Sequence, residues 1–563
     1  MRVRAVALLV PIALLLAAWP AGALARSEAE RPNILLIVAE DLSPRLGAYG
    51  DPVARTPAFD AFAAQGVRYT RAFTASGVCA PSRAALITGM HPHTIGAQHM
   101  RTSNRGYLAV PPSQIKAFPE LLRRVGYATA NVVKTDYQFG EPFTVWDANV
   151  GNYGTGPDLA VWRQLPSSKP FFAMITLMST HESRLVTAET TAPESWQRLL
   201  DGVRKLRAAT VRALTDPESV EVPPYYPDVP SVRASIAQHY DNMHFMDSEV
   251  ATILANLEAD GLAENTLVIF TTDHGDGLPR AKRSVFDSGL HVPLLLRYPN
   301  GYAAGTRSDR LVSFVDFAPT LLHLAGAAVP PHLQGVDFLS PAPPREFIYA
   351  GRDRMDSVPD HVRAVRDARF KLIRNYRPRL PYYRPLLFRD MFPVMRALWD
   401  GRAAGTLRPP QQRYFEKPRP REALYDTRED PHELTNLIGE VRYAPQVERL
   451  REALNRWLNA LGDSSARPEE ALMAQAWPGG EQPVTAAPVV TPVRDRPGYW
   501  RIESATPGAS IGYRLRAADD VDATARWALY QAPVAVPDDQ RLEAKAIRYG
   551  YAESSVVQGA TQR

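Results

Sequence analysis

Three short apolar runs, each leading into a pair of polar residues, constrain this chain more than any other feature. Residues 33–38 lead to Glu40-Asp41, residues 171–178 to Thr180-His181, and residues 267–272 to Asp273-His274. A run that is apolar at successive positions cannot leave either face in water, so each reads as a strand buried on both sides. Apolar residues recur at helical spacing over 118–125 and 239–260, which supplies crossover helices. Strands alternating with helices predict an α/β fold with a mainly parallel sheet flanked by helices. Ligands of such sheets gather beyond the carboxyl ends of the strands, where the three polar pairs stand.

The length of 563 residues exceeds one compact core and implies several domains. The main α/β domain is expected over 30–340, ending near the Pro-rich stretch 341–345. A smaller α+β subdomain follows over 345–462, with 363–375 alternating as one strand. Residues 463–492, rich in Ala, Pro, Ser and Glu, read as a linker. Strand-like runs at 499–503, 510–516, 527–530 and 542–549, separated by turn residues, predict a small β-sandwich over 493–563.

The N-terminus has Arg2 and Arg4, an apolar run over 5–18 and the small residues Ala23-Leu24-Ala25. That order is a signal peptide over 1–25, implying export to the periplasm or beyond. An uncleaved anchor is the alternative, but the run falls at or below the lower limit for spanning, and no later stretch is long enough. A disulfide scaffold is excluded because Cys79 is the single cysteine. That residue is idle, intermolecular or chemically used. The net charge of +5 favours anionic partners, yet no basic block or nucleic-acid motif is present.

The strongest local signal is Cys79-Ala80-Pro81-Ser82-Arg83, followed by Thr88-Gly89. It resembles the signature C-x-P-S-R with T-G of the formylglycine-dependent sulfatases, within the alkaline-phosphatase-like superfamily. The resemblance covers about residues 32–440 and implies that Cys79 is oxidised to formylglycine by a formylglycine-generating or anaerobic sulfatase-maturing enzyme. Glu40, Asp41, Asp273 and His274 stand at two strand ends, where they can converge on one hard cation beside residue 79. With Cys79 they resemble the family's metal set, implying Ca²⁺ or Mg²⁺, although Glu40 stands where the family more often has Asp. Arg83, Lys134, His181 and Lys282 match its sulfate-binding cations, Lys282 preceding a segment Asp287 to Pro293 similar to the family's [DE]-x-G-x-x-V-P.

One position departs. Lys134-Thr135-Asp136 occupies the place where many sulfatases read Lys-x-His, so the base is either Asp136 or an incoming His93. The mechanism implied by the resemblance is attack on sulfur by a hydroxyl of hydrated formylglycine, with Lys282 and His181 protonating the departing alcohol. Loss of the second hydroxyl proton then expels sulfate. His93, His99, Arg101 and His291 are candidate substrate contacts by position. The expected substrate is a sulfated small molecule or glycan, a sulfated carbohydrate first among them. An N-sulfated sugar, a phosphonate or phosphodiester, or a dead site in a glycan-binding protein remain open. The C-terminal segment resembles β domains appended to bacterial carbohydrate enzymes, with Trp500, Tyr513 and Trp527 either packing in its core or binding sugar. The stretch 375–389 is either a pocket rim or a solvated loop.

Overall fold

The computed structural model describes residues 31–151, 156–187, 190, 192–517 and 526–559. The expected signal peptide, residues 1–25, lies outside them. Among the described residues no helix is long and apolar enough to cross a membrane.

The chain from Asn33 to Ser313 builds one large sheet. Its strands are β1 (Asn33–Ala39), β2 (Val67–Phe73), β3 (Ala128–Val132), β4 (Ala148–Val150), β5 (Phe171–Leu177), β6 (Thr266–Thr272), β7 (His291–Arg297), β8 (Thr306–Ser308) and β9 (Val312–Ser313). They lie in the order β4-β3-β5-β1-β6-β7-β2-β8, with β9 also paired to β2. All pairs are parallel except those of β7 with β6 and β2. The three apolar runs are neighbours at the centre, Ala39 of β1 lying level with Leu177 of β5 and Thr272 of β6. Leu35, Ile37 and Ala39 face one core, under α1 (Pro57–Ala64) and the long helix Pro230–Ala259. Ile34, Leu36 and Val38 face the other, under α2 (Cys79–Thr88), α3 (Phe118–Arg124) and the helix Phe317–Leu324. Burial on both faces is why these strands are apolar throughout.

A second antiparallel sheet has the order β10 (Ile348–Arg352), β11 (Val362–Arg366), β12 (Phe370–Asn375) and β13 (Glu422–Asp426). The helix Ala444–Leu461 covers it, Leu450, Leu454 and Trp457 packing on Val365, Leu372 and Leu424. The single strand expected over 363–375 is a hairpin. The Asp367 carboxylate accepts from the backbone N–H groups of Arg369 and Phe370 at 2.7 Å each and reverses the chain.

The stretch 463–492 is more than a linker. It contains the helix Glu469–Ala476, anchored by a bidentate pair from Arg354 to Glu469, and the strand Val489–Pro492. Its Ala and Glu content supports a short helix as readily as a tether. The C-terminal module holds two antiparallel sheets, Val489–Pro492, Tyr499–Glu503 and Val534–Ala535 against Ala528–Leu529, Ser510–Ala517, Gln540–Ile547 and Val557–Gln558. Trp500, Ile502, Ile511 and Leu542 make their shared core, so Trp500 is a packing residue. The module is docked: Tyr549 is fully buried in the core of the main domain, stacked on Phe139 at 5.0 Å. The Tyr549 and Ser510 hydroxyls donate to the buried Glu120 carboxylate at 2.9 and 2.6 Å.

Candidate active site

The parallel register carries three loops to one edge of the sheet. The backbone N–H of Glu40 donates to the Leu177 carbonyl at 3.1 Å and that of Asp273 to the Ala39 carbonyl at 3.0 Å, so the ends of β1, β5 and β6 are stitched side by side. Asp41 adopts φ 52°, a left-handed conformation that Asp tolerates better than most residues. Cys79 is the first residue of α2, behind the extended Val78. A Cβ on Gly77 would come within 2.2 Å of the Ser284 carbonyl oxygen, so glycine is what lets the segment before Cys79 close onto the 280–284 loop. The rest of the signature holds this placement. The Ser82 hydroxyl donates to the Asp273 carbonyl. Arg83 crosses to Glu40, its Nη2 and Nε lying 2.5 and 3.2 Å from Oε1, and its Nη1 reaches the Lys134 carbonyl at 3.3 Å.

The result is a buried lattice of alternating charge. Cys79 Sγ lies 3.4 Å from His274 Nε2, which is 3.1 Å from Asp41 Oδ1 and 3.5 Å from Asp273 Oδ2. Lys282 Nζ donates to both Asp41 oxygens at 2.9 and 2.7 Å. Lys134 Nζ pairs with Glu40 Oε2 and lies 3.9 Å from Asp136 and 4.0 Å from Asp273. Burial pushes the Cys79 thiol up, but Lys134, Lys282 and His274 outweigh it and bring the thiol to about 7. Burial and then the Glu40 charge push Asp273 up to about 8.

Asp273 Oδ2 is buried without a hydrogen-bond partner. Ligand atoms of Asp41, Cys79, Asp273 and His274 lie within 4.8 Å of one another, as do those of Glu40, Asp41, Cys79 and His181. An orphaned acceptor among converging carboxylates fits a hard divalent cation.

His181 caps a short turn, its Nδ1 accepting from the Ser183 N–H at 3.2 Å, so Nε2 carries the proton. Burial and the adjacent Lys282 lower His181 to about 4. Asp136 accepts from Arg101 Nη2 at 3.2 Å; burial disfavours its charge, but Arg101 and Lys134 hold it below the usual carboxylate range. Arg101 therefore joins the edge of the cluster. His93 and His291 do not. His93 is buried edge-on against Trp457 at 4.6 Å, under the second subdomain. His291 stacks on Phe73 at 4.9 Å and donates to the Thr70 carbonyl at 2.9 Å. Proximity to a motif in sequence does not fix where a side chain points. His99 accepts from the Arg354 N–H at 3.3 Å and leaves Nε2 without a partner.

Two residues that the sequence reading missed complete the lattice. Glu182 lies 3.0 Å from Lys282 Nζ and takes both Nη atoms of Arg283 at 2.8 Å, while its N–H donates to Asp41 Oδ2 at 2.7 Å. The signal was present in the adjacent pairs His181-Glu182 and Lys282-Arg283, of which only one member each was taken as functional.

Residues 32–327 match the family model described as Sulfatase, and residues 280–382 that of the N-sulphoglucosamine sulphohydrolase C-terminal region. An ulvan-active sulfatase of Formosa agariphila is 40% identical over 94% of this chain and 92% of its own length. The chain belongs to the sulfatase family. This sulfatase is thus a sulfuric ester hydrolase. It is also 28% identical to human N-sulphoglucosamine sulphohydrolase over 76% of this chain and 89% of that protein. A solved structure described as a complex with its substrate D-glucosamine-2-N,6-O-disulfate aligns with TM-score 0.56 and 18% identity, over 78% of this sulfatase and 100% of that chain, which establishes the shared fold.

Proposed function

We propose that this sulfatase is an exported enzyme that removes a sulfate ester from a sulfated polysaccharide. In this reading residue 79 is oxidised to formylglycine by a maturation enzyme and works beside a bound Ca²⁺ or Mg²⁺. The observation that carries it is Cys79 at the head of α2, within 3.4 Å of His274 and inside the lattice of Asp41, Asp273, Lys134 and Lys282. The relative described as ulvan-active supports the polysaccharide substrate.

Glu40, Asp41, Asp273 and His274 would hold the cation, with Cys79 Sγ marking where the residue-79 oxygen sits. The cation would supply Lewis acidity and charge neutralisation, and an oxidised, hydrated residue 79 would supply the nucleophilic oxygen. Lys134 and Lys282 bind sulfate oxygens as charge builds on them. His181 presents Nε2–H towards the leaving oxygen because Ser183 holds Nδ1. Asp136, kept ionised beside Arg101 and Lys134, takes the hydroxyl proton that frees sulfate. Arg83 and Glu182 position the lattice from behind; Arg101, at its edge, and His99, whose Nε2 is left without a partner, are the proposed substrate contacts.

The test is co-expression with a maturation enzyme, mass spectrometry of the peptide containing residue 79, and sulfate release from sulfated polysaccharide and from an aryl sulfate. Confirmed formylglycine with no sulfate released from either substrate would overturn the reading. A second reading, cleavage of an N-sulfate, is favoured by the match of residues 280–382, which include Lys282. Matched O-sulfated and N-sulfated glucosamines separate the two.

A further inference from the structure

A small cavity opens beside Lys282, and every charged residue in its walls is cationic. Lys282, Arg283, Arg352, Arg384 and Arg389 line it with Arg280, whose guanidinium is taken up by the Tyr414 hydroxyl and the His432 and Glu433 carbonyls, and no carboxylate does. Part of that charge is neutralised from behind. Lys282 has Asp41 and Glu182, Arg283 has Glu182 and Asp356, and Arg389 has Asp390 at 2.8 Å. Arg352 and Arg384 are served less well. Arg352 Nε lies 3.4 Å from Asp360 without a hydrogen bond, while Asp360 takes two donors of Arg419. Arg384 gives Nη2 to the Pro359 carbonyl, and its buried Nε has no partner. The hydroxyl of Tyr383, buried in the same wall, also lacks one.

Buried donors without acceptors are rare in native proteins. Here three of them belong to three residues that line one space. Burial, together with Arg419, Arg389 and Arg384, outweighs Asp360 and lowers the Arg352 guanidinium to about 10, which reflects the uncompensated positive charge around it. The free space is about 20 Å³, room for one small group rather than a sugar ring. Lys282 stands in both walls, its Nζ on Asp41 and its side chain on the cavity, so one ligand can span the two.

We propose that this cavity is an anion subsite, taking a second carboxylate or sulfate group of a glycan whose sulfate ester lies at residue 79. The inference rests on the sulfatase reading above and narrows its substrate to a sugar carrying at least two negative charges. Guanidiniums suit either anion, since their fork geometry matches carboxylate and sulfate oxygens alike. It also assigns the stretch 375–389 to the rim of the active site, where Tyr383, Arg384 and Arg389 belong.

The test uses the full-length, matured protein and four disaccharides. One carries a single sulfate ester, one adds a uronate carboxylate, one is that uronate reduced to its alcohol, and one carries two sulfates. The wild type should favour a doubly charged substrate over its singly charged counterpart by at least tenfold in kcat/KM, and Arg384→Gln should erase that preference. Arg384 is half-buried at the rim, so this variant should fold; Arg384→Lys, which keeps the charge, should fall between the two. Preference for the carboxylate partner identifies a uronate, and preference for the second sulfate identifies an oversulfated sugar. Equal rates in the wild type, or an undiminished preference in Arg384→Gln, overturn the subsite. Failure to cleave any of the four, or an aryl sulfate, would instead strike at the sulfatase reading. Calorimetric titration of Cys79→Ser protein with the same disaccharides then judges the cavity alone: Arg384→Gln must weaken the doubly charged ligands at least tenfold more than the neutralised one.

Discussion

Asp136→Asn is the substitution that bears hardest on the mechanism. Asp136 occupies φ 56°, which Asn tolerates as well as Asp, and an Asn Oδ1 can still accept from Arg101. The Arg101 side chain is 35% exposed, so the lost ion pair contributes about 1 kcal/mol or less to stability. Loss of a general base, by contrast, lowers turnover about 10²–10⁴-fold, equivalent to about 3–5 kcal/mol in the barrier. The two effects are separable: the variant should unfold close to the wild type yet nearly stop turning over. Because the base acts after sulfur is attacked, stopped-flow mixing with a chromogenic aryl sulfate should show a burst of one leaving group per site, followed by slow turnover. The pH profile should agree. Asp136 is held below the usual carboxylate range, so it stays ionised from neutrality well into acid, and the near-neutral acid limb that a histidine base would impose on kcat should be absent. Wild-type steady-state turnover without a burst would refute the assignment of Asp136, and His93, packed on Trp457, does not stand ready to replace it.

Further outcomes follow from the same geometry. Cys79→Ala should release no sulfate and hold its cation more weakly, because in the proposed mechanism residue 79 is both nucleophile and ligand; sulfate release within tenfold of the wild type would contradict this. Chelation should abolish activity and Ca²⁺ or Mg²⁺ should restore it, since Glu40, Asp41 and Asp273 offer hard oxygens; restoration by zinc alone would exclude that assignment. Burial pushes Glu249 from an ordinary 4.5 up to about 7, only partly offset by the Ser179 hydroxyl and Arg184, so its folded form prefers the proton and the protein loses stability as pH rises across that window. Glu249→Gln should therefore gain up to about 3 kcal/mol in urea unfolding at pH 8 and nothing at pH 4; an equal gain at both would refute the cause. Tyr549→Ala removes a buried ring and a hydrogen bond to Glu120, and should cost about 3–5 kcal/mol in the unfolding of the docked module; an unchanged midpoint in tryptophan fluorescence would show that the docking carries no stability.

Local order in the sequence determined the central strands and the signature that begins at Cys79. Doubly buried strands must be apolar at consecutive positions, so β1, β5 and β6 could be placed by residue number, and with them the polar pairs beyond their ends. The signature residues 79–83 could be read as chemistry because they stand consecutively in the chain and resemble a family motif; that they open a helix was for the structure to show. The hairpin at 367–369 was hidden because β11 and β12 alternate alike on either side of the turn. What only the tertiary structure decided is which charges meet. Glu40 finds Arg83 and Lys134, Asp41 finds Lys282, and Glu182 binds Lys282 and Arg283, all across long separations in the chain. Nor could the sequence tell that Tyr549 anchors the last module in the first core, or that Arg352 and Arg384 would be left short of acceptors. Periodicity is a property of neighbours along the backbone, whereas the pairing of buried charges depends on which strand ends and loops the sheet order brings together.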